Sequence, residues 1–174
     1  MSISPQTERR IIYLVLFLAV LLPLLFPIGW RTESSPHVRM AHKLVEQSPA
    51  GSVAIVSFDY DPASMTELQP MAVAMIDHAW SKGHKVIATA LWPQGPQLAD
   101  QAFRALSEKY PEKQYGVDYV NLGYKVGGMV TIQAMGRSLV EVYPTDTGGT
   151  ALNQIPMLAK VNTLRDIAYI SSLS

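Results

Sequence analysis

Twenty consecutive residues near the amino terminus, from Ile11 to Trp30, carry no charged side chain, and this run limits what the chain can become. A helix rises about 1.5 Å per residue, so a run of this length spans about 30 Å, the thickness of the hydrocarbon core of a bilayer. Trp30 ends the run, where an indole suits the headgroup region. The pattern predicts a transmembrane anchor at residues 11–30, preceded by a short flank at residues 1–10.

A cleaved secretory signal is the alternative interpretation of this run. The run is longer than the apolar core of a typical signal peptide, and residues 27–36 (PIGWRTESSP) contain no A-x-A-like cleavage site. An uncleaved anchor is therefore favoured, and the lipid bilayer is a predicted partner.

The charges that flank the run say less about orientation. Arg9 and Arg10 precede it, and Arg31, Arg39 and Lys43 follow it. Basic residues near the two ends nearly balance under the positive-inside rule. The pair next to the run favours, by a small margin, an N-terminus inside and a domain on the extracytoplasmic side. The chain has no cysteine, so it gives no indication of a redox compartment.

Residues 31–50 are predicted to connect the anchor to a folded domain. Val38, Ala41 and Val45 recur at helical spacing with polar residues between them, which is typical of a short helix that packs on a domain. The alternative, a helix that lies on the lipid surface, is disfavoured because this apolar face is small. The domain, residues 51–174, alternates strand patterns with helical patterns. Strands are predicted at 52–58, 85–91, 117–122 and 166–173, and helices at about 67–82 and 96–109.

This alternation predicts βαβ units, and hence an α/β fold with a mostly parallel sheet and helices on its faces. In the first helix, Ser64 or Thr66 is expected to be the cap and Pro70 to lie in the first turn. The residues expected to face the sheet are Leu68, Met71, Ala72, Met75, Ala79, Leu98, Ala102, Phe103 and Leu106. Two stretches stay open: residues 129–135 (MVTIQAM), and residues 138–144 (SLVEVYP), which suit either a strand or a short helix.

The chain ends directly after its last predicted strand. A parallel strand inside a sheet usually has a helix over it. Either this strand lies at an edge of the sheet or the natural protein continues past Ser174, and we expect the second.

Polar, aromatic and glycine-rich residues follow the predicted strands. Ligands of open parallel sheets bind at the carboxyl ends of the strands, so these residues are expected at one edge of the sheet. The candidate ligand-binding residues are Asp59, Asp61, Trp92, Gln94, Tyr124, Lys125 and Asp146. Each of them could equally serve the structure of a turn or a loop.

Two short motifs resemble parts of known catalytic sites. Asp59-x-Asp61 after a buried strand resembles the nucleophile and acid/base pair of haloacid-dehalogenase-type phosphatases, but no later acidic pair completes a magnesium site. Asp146-Thr147-Gly148 matches the tripeptide of aspartic proteases, which need two such carboxylates in an all-β setting. No catalytic residue is assigned, and enzyme activity is left open.

Composition argues against several kinds of partner. The chain has 14 basic and 14 acidic residues and no basic run, so nucleic acid is not expected. It has no cysteine, and His78 and His84 have no ligand-like partner at helical spacing, so neither a metal nor a cofactor is predicted.

Several segments resemble a family of uncharacterised bacterial membrane-anchored proteins. They are FDYDP (58–62), ELQPM (67–71), ALWP (90–93), YGVDYVNLGYK (115–125) and PTD (144–146). The resemblance covers most of residues 50–174. It implies an N-terminal anchor, an α/β domain and a further portion that ends in a second hydrophobic segment, and it implies no activity for any residue.

Two functions fit these patterns. The favoured one is a non-catalytic anchored module, an accessory or assembly subunit of a membrane complex with membrane proteins as partners. The alternative is a small-molecule or peptide-binding domain, which includes the case of a hydrolase, with the candidate residues gathered around one pocket.

Overall fold

The computed structural model describes residues 4–26 and 34–174, which fall into two compact units divided after Pro36. Helix α1 (Pro5–Leu25) makes up most of the described part of the first unit. Its N-cap is Ser4, whose hydroxyl oxygen accepts a hydrogen bond from the backbone N–H of Thr7. Capping of this kind satisfies one of the free amides at a helix start.

The predicted anchor coincides with α1 only in part. Positions 27–30 of the predicted span, including Trp30, lie outside the described residues, as do positions 31–33 of the predicted connection. Among the helices of the described residues, none is both long enough and apolar enough to cross a bilayer.

The second unit contains a four-stranded sheet in the order β3-β2-β1-β4. Its strands are β1 (Val53–Phe58), β2 (Lys85–Ala90), β3 (Tyr119–Tyr124) and β4 (Tyr169–Leu173). Every neighbouring pair is parallel. The prediction of an α/β fold with a mostly parallel sheet is therefore confirmed.

Helices cover the first face of the sheet and build one core there. They are α3 (Met65–Ser81) and α4 (Gly95–Leu106), and α2 (Pro36–Gln47) precedes them along the chain. Successive side chains of a strand point to opposite faces, so every second residue of β1 enters this core. Its buried residues include Val56, Phe58, Ala72, Ile76, Trp80, Val86, Ala102 and Phe103.

Shorter elements cover the second face. They are α5 (Met129–Met135), α6 (Leu139–Val142) and three 3₁₀ turns at Leu152–Gln154, Pro156–Leu158 and Leu164–Asp166. The second core includes Ile55, Ile87, Val120, Leu139, Tyr143 and Leu152. Both faces of the central strands are thus buried, as their continuous apolar patterns require.

The third strand was predicted two residues too early. Residues 114–118 form a turn in which the Asp118 backbone N–H donates to the Gln114 carbonyl at 2.8 Å. The Asp118 carboxylate accepts from the Gln114 N–H, and Gly116 has a φ of 77°. This turn uses backbone groups that a strand would need, so β3 begins at Tyr119.

Helix α3 differs from its prediction at the start and on its inner face. It begins at Met65, and Ser64 precedes it without a side-chain capping bond; the Asp61 carboxylate accepts from the Ala63 and Ser64 amides in the turn before the helix. Pro70 therefore lies in the second turn rather than the first. Met71 is 50% exposed, so its assignment to the sheet face is wrong, and the core position belongs to Ile76.

Other boundaries shift by smaller amounts. The second helix of the domain ends at Leu106, three residues before the predicted Lys109, and the last strand starts at Tyr169 rather than at residue 166. Both undecided stretches contain helices, namely α5 and α6. The predicted inward residues of α4, namely Leu98, Ala102, Phe103 and Leu106, are all buried.

Candidate functional site at the carboxyl ends of the strands

A small cavity lies on the second face of the sheet, where β1, β2 and β4 end. Its volume is about 130 Å³. Period-two alternation along β1 sends Ser57 and Asp59 to this face, beside Ile55. Thr89 and Ser172 complete the polar lining, and Ile132, Met135 and Leu164 are among the apolar residues. The cavity therefore combines one carboxylate with three hydroxyls in an apolar surround.

Asp59 ties the ends of three strands together. One oxygen of its carboxylate accepts a hydrogen bond from the Leu91 backbone N–H at 2.7 Å, after β2. The other oxygen accepts from the Ser172 hydroxyl at 3.0 Å, on β4. The Asp59 backbone N–H donates to the Leu173 carbonyl at 2.9 Å. A carboxylate has about four lone-pair sites, so these two bonds leave it able to accept from a ligand hydroxyl or amine.

Tyr143 lies fully buried near this carboxylate. Its hydroxyl finds no hydrogen-bond partner among the described residues. Burial, and then the charge of Asp59, raise the pKa of the Tyr143 hydroxyl above its ordinary value. The Nζ atom of Lys125 lies 5.5 Å from the centre of the Tyr143 ring. Asp59 and Lys125, two of the predicted site residues, are therefore both neighbours of one buried tyrosine.

Asp59 is the one predicted residue that lines this cavity, and the other six predicted residues, Lys125 included, do not line it. Asp61 is occupied in the turn before α3, where its carboxylate accepts from two backbone amides. Trp92 and Tyr124 are 46% and 37% exposed. Gln94 precedes α4 without a side-chain capping bond. Of the two carboxylates of the phosphatase pattern, Asp59 lines the cavity and Asp61 bonds to its own turn instead.

Asp146 lies beside β3, two strands away from β1. It is 5% exposed, and its carboxylate accepts from the Tyr115 hydroxyl at 2.9 Å and from the Thr150 N–H at 2.7 Å. The adjacent Thr147 N–H donates to the Asn121 carbonyl of β3. These bonds hold the loop of residues 145–151 against the sheet edge, and they give Asp146 a structural role.

Three residues around Asp59 are missing from the predicted set: Thr89 and Ser172, which line the cavity, and Tyr143, whose hydroxyl is affected by the Asp59 charge. Thr89 and Ser172 lie within strands. A polar side chain in a buried strand indicates that it faces a cavity or a polar partner and not the apolar core. Counting by twos from each strand end would have marked both. No local pattern marks Tyr143, because its position near Asp59 depends on how residues 129–143 fold across the sheet.

A second polar cluster joins α2 to α3. Glu46 accepts from the His78 ring at 2.9 Å and pairs with Lys82 at 2.6 Å. His42 Nε2 lies 4.0 Å from the same Glu46 oxygen that contacts His78, and the two imidazole rings stack with centres 4.5 Å apart. The hydrogen bonds from Lys82 and then His78 lower the pKa of Glu46 to about 2. His78 therefore has partners from another helix, which helical spacing alone could not reveal.

An apolar cavity of about 440 Å³ adjoins this cluster. It lies between α2, α3 and β4, and His42 and His78 both belong to its wall. The apolar stripe predicted for the connecting helix, Val38, Ala41 and Val45, lines it as well.

Comparison of the chain with protein-family models, curated proteins and solved structures finds no match. The resemblance to bacterial membrane-anchored proteins therefore stays a prediction, and function must be argued from the sites themselves.

Proposed function

We propose that this chain is a membrane-attached α/β module that serves as an accessory or assembly subunit of a membrane complex. The observation that carries the proposal is the surface of α1. From Ile11 to Phe26 the chain has no charged residue, and α1 has no buried residue. Large apolar side chains are exposed around it, from 40% for Leu18 to 74% for Leu24. A helix that is apolar all round needs lipid or protein to cover it.

The domain supports an accessory role more than a catalytic one. The cavity at the strand ends is about 130 Å³, below the roughly 300–1,000 Å³ of ordinary ligand pockets. Two of the seven candidate residues approach Tyr143, whereas Asp61 and Asp146 hold turns. In this proposal Arg9 and Arg10 stay inside and the domain lies on the extracytoplasmic side.

The membrane part of the proposal is tested by one charge in α1. We expect Leu18→Lys to release much of the chain from washed membranes, because a charged residue at the centre of a membrane helix costs about 2.5–3.5 kcal/mol. Gln6→Lys adds the same charge before the uncharged run and should leave membrane association unchanged. The measurement is the fraction of full-length chain that pellets with membranes after a high-salt or alkaline wash.

The accessory role has its own measurement. The chain should co-purify with membrane proteins after mild detergent extraction from its native membrane. If Leu18→Lys and the wild type pellet equally, α1 is not the segment that attaches the chain to the membrane. A chain that purifies without membrane proteins would count against the role of subunit.

The second candidate function is binding of a small hydroxyl- or amine-bearing molecule. It includes the case in which the bound molecule is a substrate that the domain hydrolyses. The specific observation in its favour is the Asp59 carboxylate in the cavity, whose charge acts on the buried Tyr143 hydroxyl, a group with no hydrogen-bond partner in the described part of the chain. Small polyols and amines that raise the melting temperature of the wild type should lose that effect in Asp59→Asn. Asp61→Asn is the matched control, because asparagine can also accept the turn bonds of Asp61. If both variants respond alike, ligand binding does not use Asp59.

A further inference from the structure

Two histidines and one carboxylate meet at the contact between α2 and α3. His42 and Glu46 are four residues apart, which places them on the same face of α2. His78 comes from α3, and all three offer ligand atoms that lie within 4.8 Å of one another. Because the set is drawn from two helices, an ion bound there would join them.

The chemistry of this set suits a zinc-class ion. Zn²⁺ is bound by imidazole nitrogen and carboxylate oxygen at about 2.0–2.2 Å, commonly with three protein ligands and one water. Atoms around such an ion are separated by roughly 3.3 Å, given those bond lengths in a tetrahedral arrangement. The Glu46 oxygen lies 2.9 Å from His78 Nε2 and 4.0 Å from His42 Nε2, which bracket that separation.

The side chains can move the short distance that binding requires. His42 and Glu46 are 64% and 36% exposed, so neither is locked by packing. Lys82 engages the second oxygen of Glu46, and it leaves the oxygen shared with the histidines in place. The Lys82 ammonium competes with a metal ion for the Glu46 carboxylate, so replacing Lys82 by a neutral residue should strengthen metal binding.

We propose that His42, Glu46 and His78 form a binding site for a divalent zinc-class ion that clamps α2 onto α3. Without the ion, α2 has no buried residue, and its apolar stripe lines a cavity of about 440 Å³. A metal bridge would therefore fix the helix through which the domain connects to the preceding chain. Zn²⁺ and Co²⁺ are the probe ions.

Metal binding is tested on the full chain in detergent, without a histidine affinity tag and after removal of metal by a chelator. Competition with a chromophoric chelator should show one Zn²⁺ per chain. We expect His78→Asn, His42→Asn and Glu46→Gln each to weaken binding at least about tenfold, since even residues that only support metal ligands have effects of 10–100-fold. His37→Asn, on the same helix and outside the cluster, should bind like the wild type.

Further measurements distinguish a specific metal site from a group of side chains that lie together without binding an ion. Lys82→Gln should bind Zn²⁺ more tightly than the wild type, because Glu46 loses its competing partner. Zn²⁺ should raise the melting temperature and slow amide exchange in α2 for the wild type, and it should do neither for His78→Asn. The visible spectrum of the Co²⁺ form should change when His42 or His78 is replaced.

The proposal is overturned by either of two results. One is a chain that binds no Zn²⁺ at stoichiometric concentrations. The other is binding that survives unchanged in all three ligand variants, which would place the ion elsewhere. All three ligands lie near the surface, so circular dichroism should show folded variants and keep the comparison valid.

Discussion

Two buried tyrosines, Tyr169 in β4 and Tyr143 directly after α6, show what a single hydroxyl contributes. The Tyr169 hydroxyl bonds to His84 Nδ1 at 3.0 Å, and His84 Nε2 in turn meets the Ser48 carbonyl at 3.1 Å. The Tyr143 hydroxyl has no partner among the described residues. Burial raises the pKa of Tyr169 to about 12 and that of Tyr143 in the same direction, so both are neutral at physiological pH.

Replacing each tyrosine by phenylalanine should therefore have opposite consequences. Tyr169→Phe removes the hydrogen bond between the Tyr169 hydroxyl and His84 Nδ1 and leaves that buried nitrogen without this partner. We therefore expect the free energy of unfolding to fall by about 1–3 kcal/mol. Tyr143→Phe removes an unpaired polar group, so we expect no loss and up to about 1 kcal/mol of gain. Denaturant unfolding of both variants measures the difference. A larger loss for Tyr143→Phe than for Tyr169→Phe would mean that the Tyr143 hydroxyl has a partner.

At the scale of elements, the packing of α4 on β1 depends on one glycine. A Cβ atom added at Gly95 would lie 2.2 Å from the Phe58 carbonyl oxygen and 2.3 Å from the Ala90 Cβ. Phe58 and Ala90 are the last residues of the two central strands, and one of the two contacts is with backbone, so neither neighbour can move easily. The start of α4 can therefore approach the strand ends only because this residue has no side chain.

Gly95→Ala should destabilise the domain by about 1–3 kcal/mol, the usual cost of overpacking. Alanine favours helix by up to about 1 kcal/mol over glycine, which is too little to offset the clash. Gly148→Ala is the matched control, because its Cβ would meet its nearest neighbour, Asp146, at 3.4 Å. Thermal unfolding of the two variants measures the effect, and equal melting temperatures would contradict the close approach of α4.

The sequence predicted whether a segment forms a helix or a strand more reliably than it predicted the residues at which each helix or strand begins and ends. The apolar, β-branched pattern predicted β1 within one residue, because a strand covered on both faces is mostly apolar along its length, with Ser57 as the polar member. The start of β3 was missed because Asp118 closes a turn with Gln114, a local bond that competes with the strand. Met71 was misplaced because the buried stripe of α3 consists of Ala72, Ile76, Ala79 and Trp80, and Met71 lies outside it.

At the scale of the whole molecule, the parallel sheet was predictable and the candidate site was predictable only in outline. The prediction that Asp59 lies at the carboxyl edge of the sheet was correct, because Asp59 directly follows β1 and the direction of the strand decides at which edge it lies. Ser172 reaches Asp59 across 113 positions of sequence, a contact that depends on β4 pairing with β1. The cluster of His42, Glu46 and His78 likewise depends on the docking of two helices, and one helical pattern cannot reveal it.

The pairing of β1 with β4 also sets an order of events during synthesis. A ribosome makes the chain from its amino terminus, so β1 and β2 emerge and can pair while β4 is still unmade. Ala54 meets Tyr169 and Phe58 meets Leu173 only when the last residues of this sequence have left the exit tunnel. Until then the Asp59 carboxylate lacks the Ser172 hydroxyl, and one side of β1 has no neighbour. The cavity at the strand ends therefore cannot be completed before β4 has emerged, and until then the nascent domain exposes one unpaired side of β1.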